Sequence, residues 1–275
     1  MSPILPIGDF LSVDADGYLV NPCRRELITP PWSDVVAALT TACQQQLGQQ
    51  MHSLYVRGSV AKGTAIAGVS DIDAIAVIYG EREDVDRSWV AAFQQRMEVQ
   101  YPFHTGIELP FLPHRAIHDA KEAQFWRFLI KTQCVCLCGE DLATAFPRYK
   151  AGRALAWHVL SIEEDIRDVV EQLPLMEDVA TIKDDCQWIM KRVVRTGFEL
   201  IMDYERTYTR DLYPCYAAFS RHFPAQEPQM RHALTRAIEP SDSKQELGEF
   251  LDGFGAWIVT AASTLGFASS AKTGG

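Results

Sequence analysis

The sequence predicts an α+β chain in two parts, a small mixed sheet with covering helices followed by an all-helical bundle. Three observations carry that expectation. Short apolar and β-branched runs bounded by Gly, Pro and Asp recur only in the first half. After Pro147 strand signals stop, and helical periods run almost to the end. Between the first two strand-like runs lies a stretch of small residues closed by two aspartates, LYVRGSVAKGTAIAGVSDIDAIAV over Leu54–Val77, around which the rest is arranged. The boundary is placed near Gly139–Gly152, giving units 1–145 and 146–275.

The elements follow in order. Met1–Pro31, with its prolines and its Asp-Gly and Asn-Pro pairs, reads as an irregular arm. Trp32, Val35, Val36, Leu39, Cys43 and Leu47 recur at helical spacing, so 32–47 is a helix that Ser33 is placed to cap and Gly48 to end. Strands are expected at His52–Arg57, Ile72–Ile78, Phe103–Leu109 and Gln133–Cys138. Val60–Ala67 reads as a short helix or turn, and Asp86–Gln100 and Glu122–Ile130 as helices. In the second half helices are expected at Gly152–Leu173, Glu177–Tyr208, Asp211–Phe223, Gln226–Ile238 and Ser243–Leu265. Ala268–Gly275 reads as a loose tail.

The chemistry concentrates at the turn after the first strand. Alternate residues of a strand share a face, so Asp71 and Asp73 point the same way. Two carboxylates on one face repel unless a cation lies between them. An oxygen-only pair with open positions suits Mg²⁺, which takes its other ligands from water and substrate phosphates. Gly58 lets backbone approach a ligand closely, and the Ser59 hydroxyl and nearby N–H groups are donors for phosphate oxygens. Glu108, near the end of the third strand, joins the pair if that strand lies beside the second, as a further metal ligand or as general base.

Gly58-Ser59, an eleven-residue spacer and Asp71-Ile72-Asp73 on an apolar strand resemble the signature of the nucleotidyltransferase superfamily related to DNA polymerase β. The Gly-Ser-x-Ala-Lys-Gly and Ser-Asp-Ile-Asp forms are most similar to small bacterial enzymes of aminoglycoside type. The resemblance implies transfer of a nucleoside monophosphate, AMP from ATP, to a hydroxyl of a small-molecule acceptor. Asp71, Asp73 and Glu108 would be metal and catalytic residues, with Gly58, Ser59 and Lys62 on the phosphates. The local match around Glu108, Gly106-Ile107-Glu108-Leu109-Pro110, is loose. A protein or RNA acceptor, or a non-catalytic nucleotide-binding role, are the alternatives.

A second face of the long helix carries Trp188, Lys191, Arg195 and Glu199, and Arg210 follows in Thr209-Arg210-Asp211-Leu212. Lys191, Arg195 and Arg210 are candidates for the β- and γ-phosphates of a nucleotide, weighed evenly against a solvated face of i,i+4 pairs. Trp188 is expected in the core rather than stacked on a ring. Cys134, Cys136 and Cys138 alternate and so face one way, as buried thiols rather than zinc ligands. His114 and His118 have helix-face spacing but no third ligand in sight.

Composition bounds the reading. A net charge of −10 argues against broad binding to a nucleic-acid backbone and fits a neutral or cationic small substrate. No apolar run reaches membrane-helix length and the N-terminus has no basic-then-apolar signal, so a cytoplasmic protein is expected. Seven scattered cysteines fit a reducing compartment. Base preference and oligomeric state are left open by the sequence.

Overall fold

The structure, a computed structural model, describes residues 4–119 and 123–267. Its described residues form two compact units, one within 14–149 and the other made of 4–13 with 150–267. The first unit is α+β and the second helical, as the sequence predicts.

The sheet has strand order β3-β2-β1-β5, from β1 (Met51–Arg57), β2 (Ile72–Ile78), β3 (Ile107–Glu108) and β5 (Cys134–Gly139), with β4 (Phe111–Pro113) also pairing β2. It is mixed: β1 runs antiparallel to β2 and β5, while β3 and β4 lie parallel to β2. Strand alternation sorts the core. Leu54, Val56, Ile72, Ala74 and Ala76 pack with Val35, Leu39 and Cys43 of α1 (Trp32–Leu47) and Phe93 and Met97 of α3 (Ser88–Gln100). Tyr55, Ile75 and Val77 pack on the other face with Ile117 of α4 (Ala116–Asp119) and Leu129 and Ile130 of α5 (Ala123–Gln133). β2 is buried on both sides, which is why it reads as an unbroken apolar run after Asp73.

The expected strand Phe103–Leu109 is shorter and split. Only Ile107–Glu108 pairs, and a second piece, Phe111–Pro113, rejoins β2 three residues on. Pro110 explains the break: it has no N–H for the ladder, though its carbonyl still accepts from Ala76 N at 3.0 Å. Phe103 belongs to a turn, where its carbonyl accepts from Gly68 N and its ring meets Trp32 edge-on. The three alternate cysteines do not share a face. The β1–β5 register slips between Leu54 and Tyr55, which pair with Cys138 and Cys136, so a bulge reverses the alternation. Cys134 and Cys136 therefore pack in one core layer and Cys138 in the other. The expected helix start at Glu122 and the tail Ala268–Gly275 lie outside the described residues.

The helical unit contains α6 (His158–Gln172), α7 (Val179–Glu199), α8 (Met202–Glu205), α9 (Leu212–His222), α10 (Glu227–Ile238), α11 (Lys244–Phe250) and α12 (Ala256–Thr264). Asp178 caps α7, its carboxylate accepting from Thr181 N at 2.9 Å. The expected helix Glu177–Tyr208 stops at Glu199, where the carboxylate turns to another helix, and Arg206 at φ +52 closes α8. Tyr204, within the expected helix, is exposed as a result. The expected single helix Ser243–Leu265 carries a π-helical turn at Leu251–Gly255. Residues 4–13 belong with this unit rather than with the sheet: Leu11 N donates to Tyr208 O at 2.7 Å and Asp9 N to Asp211 Oδ2 at 2.9 Å.

Candidate active site

Three side chains meet in one row across adjacent strands. Register places Arg57 opposite Asp73 and Asp73 opposite Glu108. All three follow the alternation of Tyr55 and Ile75, beyond the last apolar residues of that face. The Arg57 guanidinium lies 2.6 Å from Asp73 Oδ1 and 3.2 Å from Glu108 Oε2. Asp73 is 17% and Arg57 28% exposed, while Glu108 reaches into solvent at 60%. The row is thus a half-sunken ion pair with an open rim.

Gly58 follows Arg57 at φ +73, a conformation that favours glycine. A Cβ there would run into Asp73 Oδ2, so the missing side chain is what seats that carboxylate. Gly58 opens α2 (Gly58–Lys62), a single turn closed by Gly63 at φ +71. This turn is shorter than the expected Val60–Ala67, because Gly63 takes the left-handed position that stops a helix. The Ser59 carbonyl accepts from Thr64 N at 2.9 Å, which folds the following loop back on the turn. Lys62 is half-buried at the end of α2. Burial raises the Cys23 thiol to about 11, opposed by the nearby charges of Lys62, Arg24 and Arg57 in that order. Lys62 and Arg57 thus lie close enough to feel the same buried group.

The structure brings together Gly58, Asp73 and Glu108 from the sequence expectation. Asp71 is the exposed residue just before β2, outside the paired ladder. Among the described residues no three His, Cys, Asp or Glu side chains are grouped to hold a metal by themselves. The donor chemistry still suits Mg²⁺, which uses one or two protein carboxylates and completes its shell with water and phosphate. Asp73 and Glu108 are such a pair, with Asp71 two residues upstream on the exposed side.

The helical cations are placed differently from one another. Lys191 is half-buried and its Nζ donates to Gln187 Oε1 at 3.0 Å. Arg195 is no solvated side chain: its Nε donates to the Arg210 carbonyl at 3.2 Å, and burial, then the Arg210 charge, lower its guanidinium to about 10. Glu199, on the same helix, is 4% exposed; its Oε1 lies 2.6 Å from His158 Nδ1 and its Oε2 accepts from Val159 N at 2.8 Å. Trp188, expected in the core, is 42% exposed with Arg192 over its ring.

No protein-family model and no curated protein matches the sequence. Among solved structures, one similar chain is the spectinomycin adenyltransferase AAD(9) from Enterococcus faecialis, crystallised with ATP and spectinomycin. It is 9% identical, with a TM-score of 0.48 over 84% of this chain and 99% of that one. At those values the likeness carries no residue role or activity to this chain.

Sequence reasoning missed two features. Arg57 was read only as the end of a strand. Its signal is arithmetic: a charge immediately before Gly58, on a strand antiparallel to β2, falls opposite the second aspartate. The other is a histidine stack at the far end of the sheet. His114 and His118, 4.7 Å apart by ring centroid, gain His52 of β1, which stacks on His114 at 4.5 Å. Its signal was weaker, because His52 and His114 are joined only by the pairing of β2 with both β1 and β4.

Among the described residues no helix is long and apolar enough to cross a membrane.

Proposed function

We propose that the chain is a magnesium-dependent nucleotidyltransferase of the cytoplasm, moving AMP from ATP to a hydroxyl of a small, aminoglycoside-like acceptor. The observation that supports this most is the seating of Asp73 over Gly58 at the point where Asp73 is in register with Glu108. This joins the glycine turn of a phosphate cradle to a carboxylate pair in one place. Mg²⁺ held by Asp71, Asp73 and Glu108 would supply positive charge to the triphosphate and acidity to the acceptor hydroxyl.

The chain's own groups divide the remaining work. Backbone N–H groups of the turn, the Ser59 hydroxyl and Lys62 bind phosphate oxygens. Glu108, the most exposed member of the row, takes the acceptor's proton as its oxygen attacks the α-phosphorus; the bond to pyrophosphate breaks on the opposite side. Within the helical unit, Arg195 holds the Arg210 backbone.

The test is pyrophosphate release from ATP and Mg²⁺ with a panel of small hydroxyl acceptors, aminoglycosides included. Acceptor-dependent release is expected, falling by about 10³-fold in Asp73→Asn with the fold intact by circular dichroism. Release only with protein or RNA would move the acceptor class. ATP binding without release under any condition would leave a nucleotide-binding protein and overturn the enzymatic reading.

A further inference from the structure

Arg57 stands where a metal-binding site needs its cation. One guanidinium nitrogen is within hydrogen-bond reach of Asp73 Oδ1 and of Glu108 Oε2, so the two carboxylates share this guanidinium. The other Asp73 oxygen, Oδ2, lies over Gly58, in the space a Cβ would take. The turn lies against Oδ2, while Arg57 holds Oδ1. A divalent ion held by both Asp73 and Glu108 would therefore compete with the guanidinium for the same carboxylates.

We propose that Arg57 is a resident counter-cation that competes with divalent metal for the Asp73–Glu108 pair, so that metal binding requires Arg57 to leave. Arg57 is then a positioning residue. It keeps the carboxylates aligned in the metal-free protein and sets how strongly free metal binds. Metal arriving with a triphosphate provides what free metal lacks, phosphate oxygens to receive the displaced guanidinium. The inference rests on the nucleotidyltransferase reading for its purpose, but its geometry is independent of the acceptor.

The experiment titrates Mn²⁺ alone into the full-length protein and follows free ion by electron paramagnetic resonance. Arg57→Gln removes a charge-assisted contact, and Mn²⁺ should bind it at least about ten-fold tighter than wild type. Arg57→Lys keeps the charge but loses the fork, and should fall between the two. Adding Asp73→Asn to Arg57→Gln should abolish the gain, placing it at this row. A purely structural arginine would weaken metal binding or leave it alone when removed. Mn²⁺ affinity in Arg57→Gln no higher than wild type overturns the proposal; if that variant does not fold, the same result in Arg57→Lys does so. The outcomes also separate the two readings. Pyrophosphate release without a gain in Mn²⁺ affinity rejects the role of Arg57 and keeps the enzyme. A gain without nucleotide transfer to any acceptor does the reverse.

Discussion

Arg57, Asp73 and Glu108 meet across three strands in the sheet unit, whereas His158, Glu199, Arg195 and Arg210 gather inside the helical unit. Both groups place opposite charges or strong donors in contact, but they differ in what they leave open. Glu108 is mostly in water and Asp73 spends one oxygen on Arg57, so the row keeps a rim where partners can change. Glu199 spends both oxygens on the start of α6, one near His158 Nδ1 and one on Val159 N, and keeps nothing for a ligand. Burial lowers the basicity of His158 even beside that carboxylate. The contrast separates ionisable groups placed for exchange from ionisable groups that hold helices together.

Removing one partner from each group should break the comparison in opposite ways. Glu199→Ala leaves His158 and the Val159 N–H buried without their acceptor, and should cost about 3–5 kcal/mol in urea unfolding. A loss under about 1 kcal/mol would mean that the buried pair does not hold the bundle. Glu108→Gln should leave stability nearly untouched, because the side chain is mostly exposed. It should instead lower turnover about 10²-fold, with ATP still bound, since proton transfer is a transition-state role. Stopped-time assays of pyrophosphate release beside calorimetric ATP titrations separate these effects, and an equal loss in both would deny Glu108 the role of base.

The same contrast explains what the sequence discloses. A strand's period of two and a fixed register carry side chains to predictable neighbours, so Asp73 and Glu108 were legible once the third strand was placed beside the second. Gly58 was legible because a left-handed turn under a carboxylate admits little else. Arg57 was overlooked because its partner lies sixteen residues on, across the β1–β2 pairing. Helical spacing misled at Arg195 and Glu199. It put both on one face and away from the apolar stripe, but a face says nothing about which neighbours cover it. His158 and the Arg210 backbone, distant in sequence, cover this one. The bulge that separates Cys138 from Cys134 and Cys136 was hidden for a similar reason: a one-residue slip is set by the partner strand.

The smallest expected effect comes from the sheet's other end, where charge is excluded rather than paired. His52 is 7% exposed, its Nδ1 lies 2.9 Å from Ser53 Oγ, and its ring stacks on His114 with Tyr79 edge-on. Burial, then the neighbouring His114, holds His52 below the ordinary histidine range; Glu140, 3.8 Å from its Nε2, opposes this and His118 adds to it. His114 is lowered chiefly by burial as well, and then by His118. The sign follows from proton counting. Near pH 6.5 and below, the unfolded chain protonates both residues while the folded chain resists, so the unfolded state binds more protons and stability falls as the pH is lowered. Each proton taken up only by the unfolded chain contributes a slope of up to about 1.4 kcal/mol per pH unit. Above pH 7 the contribution vanishes, because both states are neutral. His52→Gln removes one such group and one neighbour of His114, so its stability should decline less than wild type between pH 7 and pH 5. Urea unfolding at half-unit pH steps measures this directly. Parallel curves for the two proteins would show that the stack accepts protons as readily folded as unfolded, and would erase the distinction between this end of the sheet and the carboxylate row at the other.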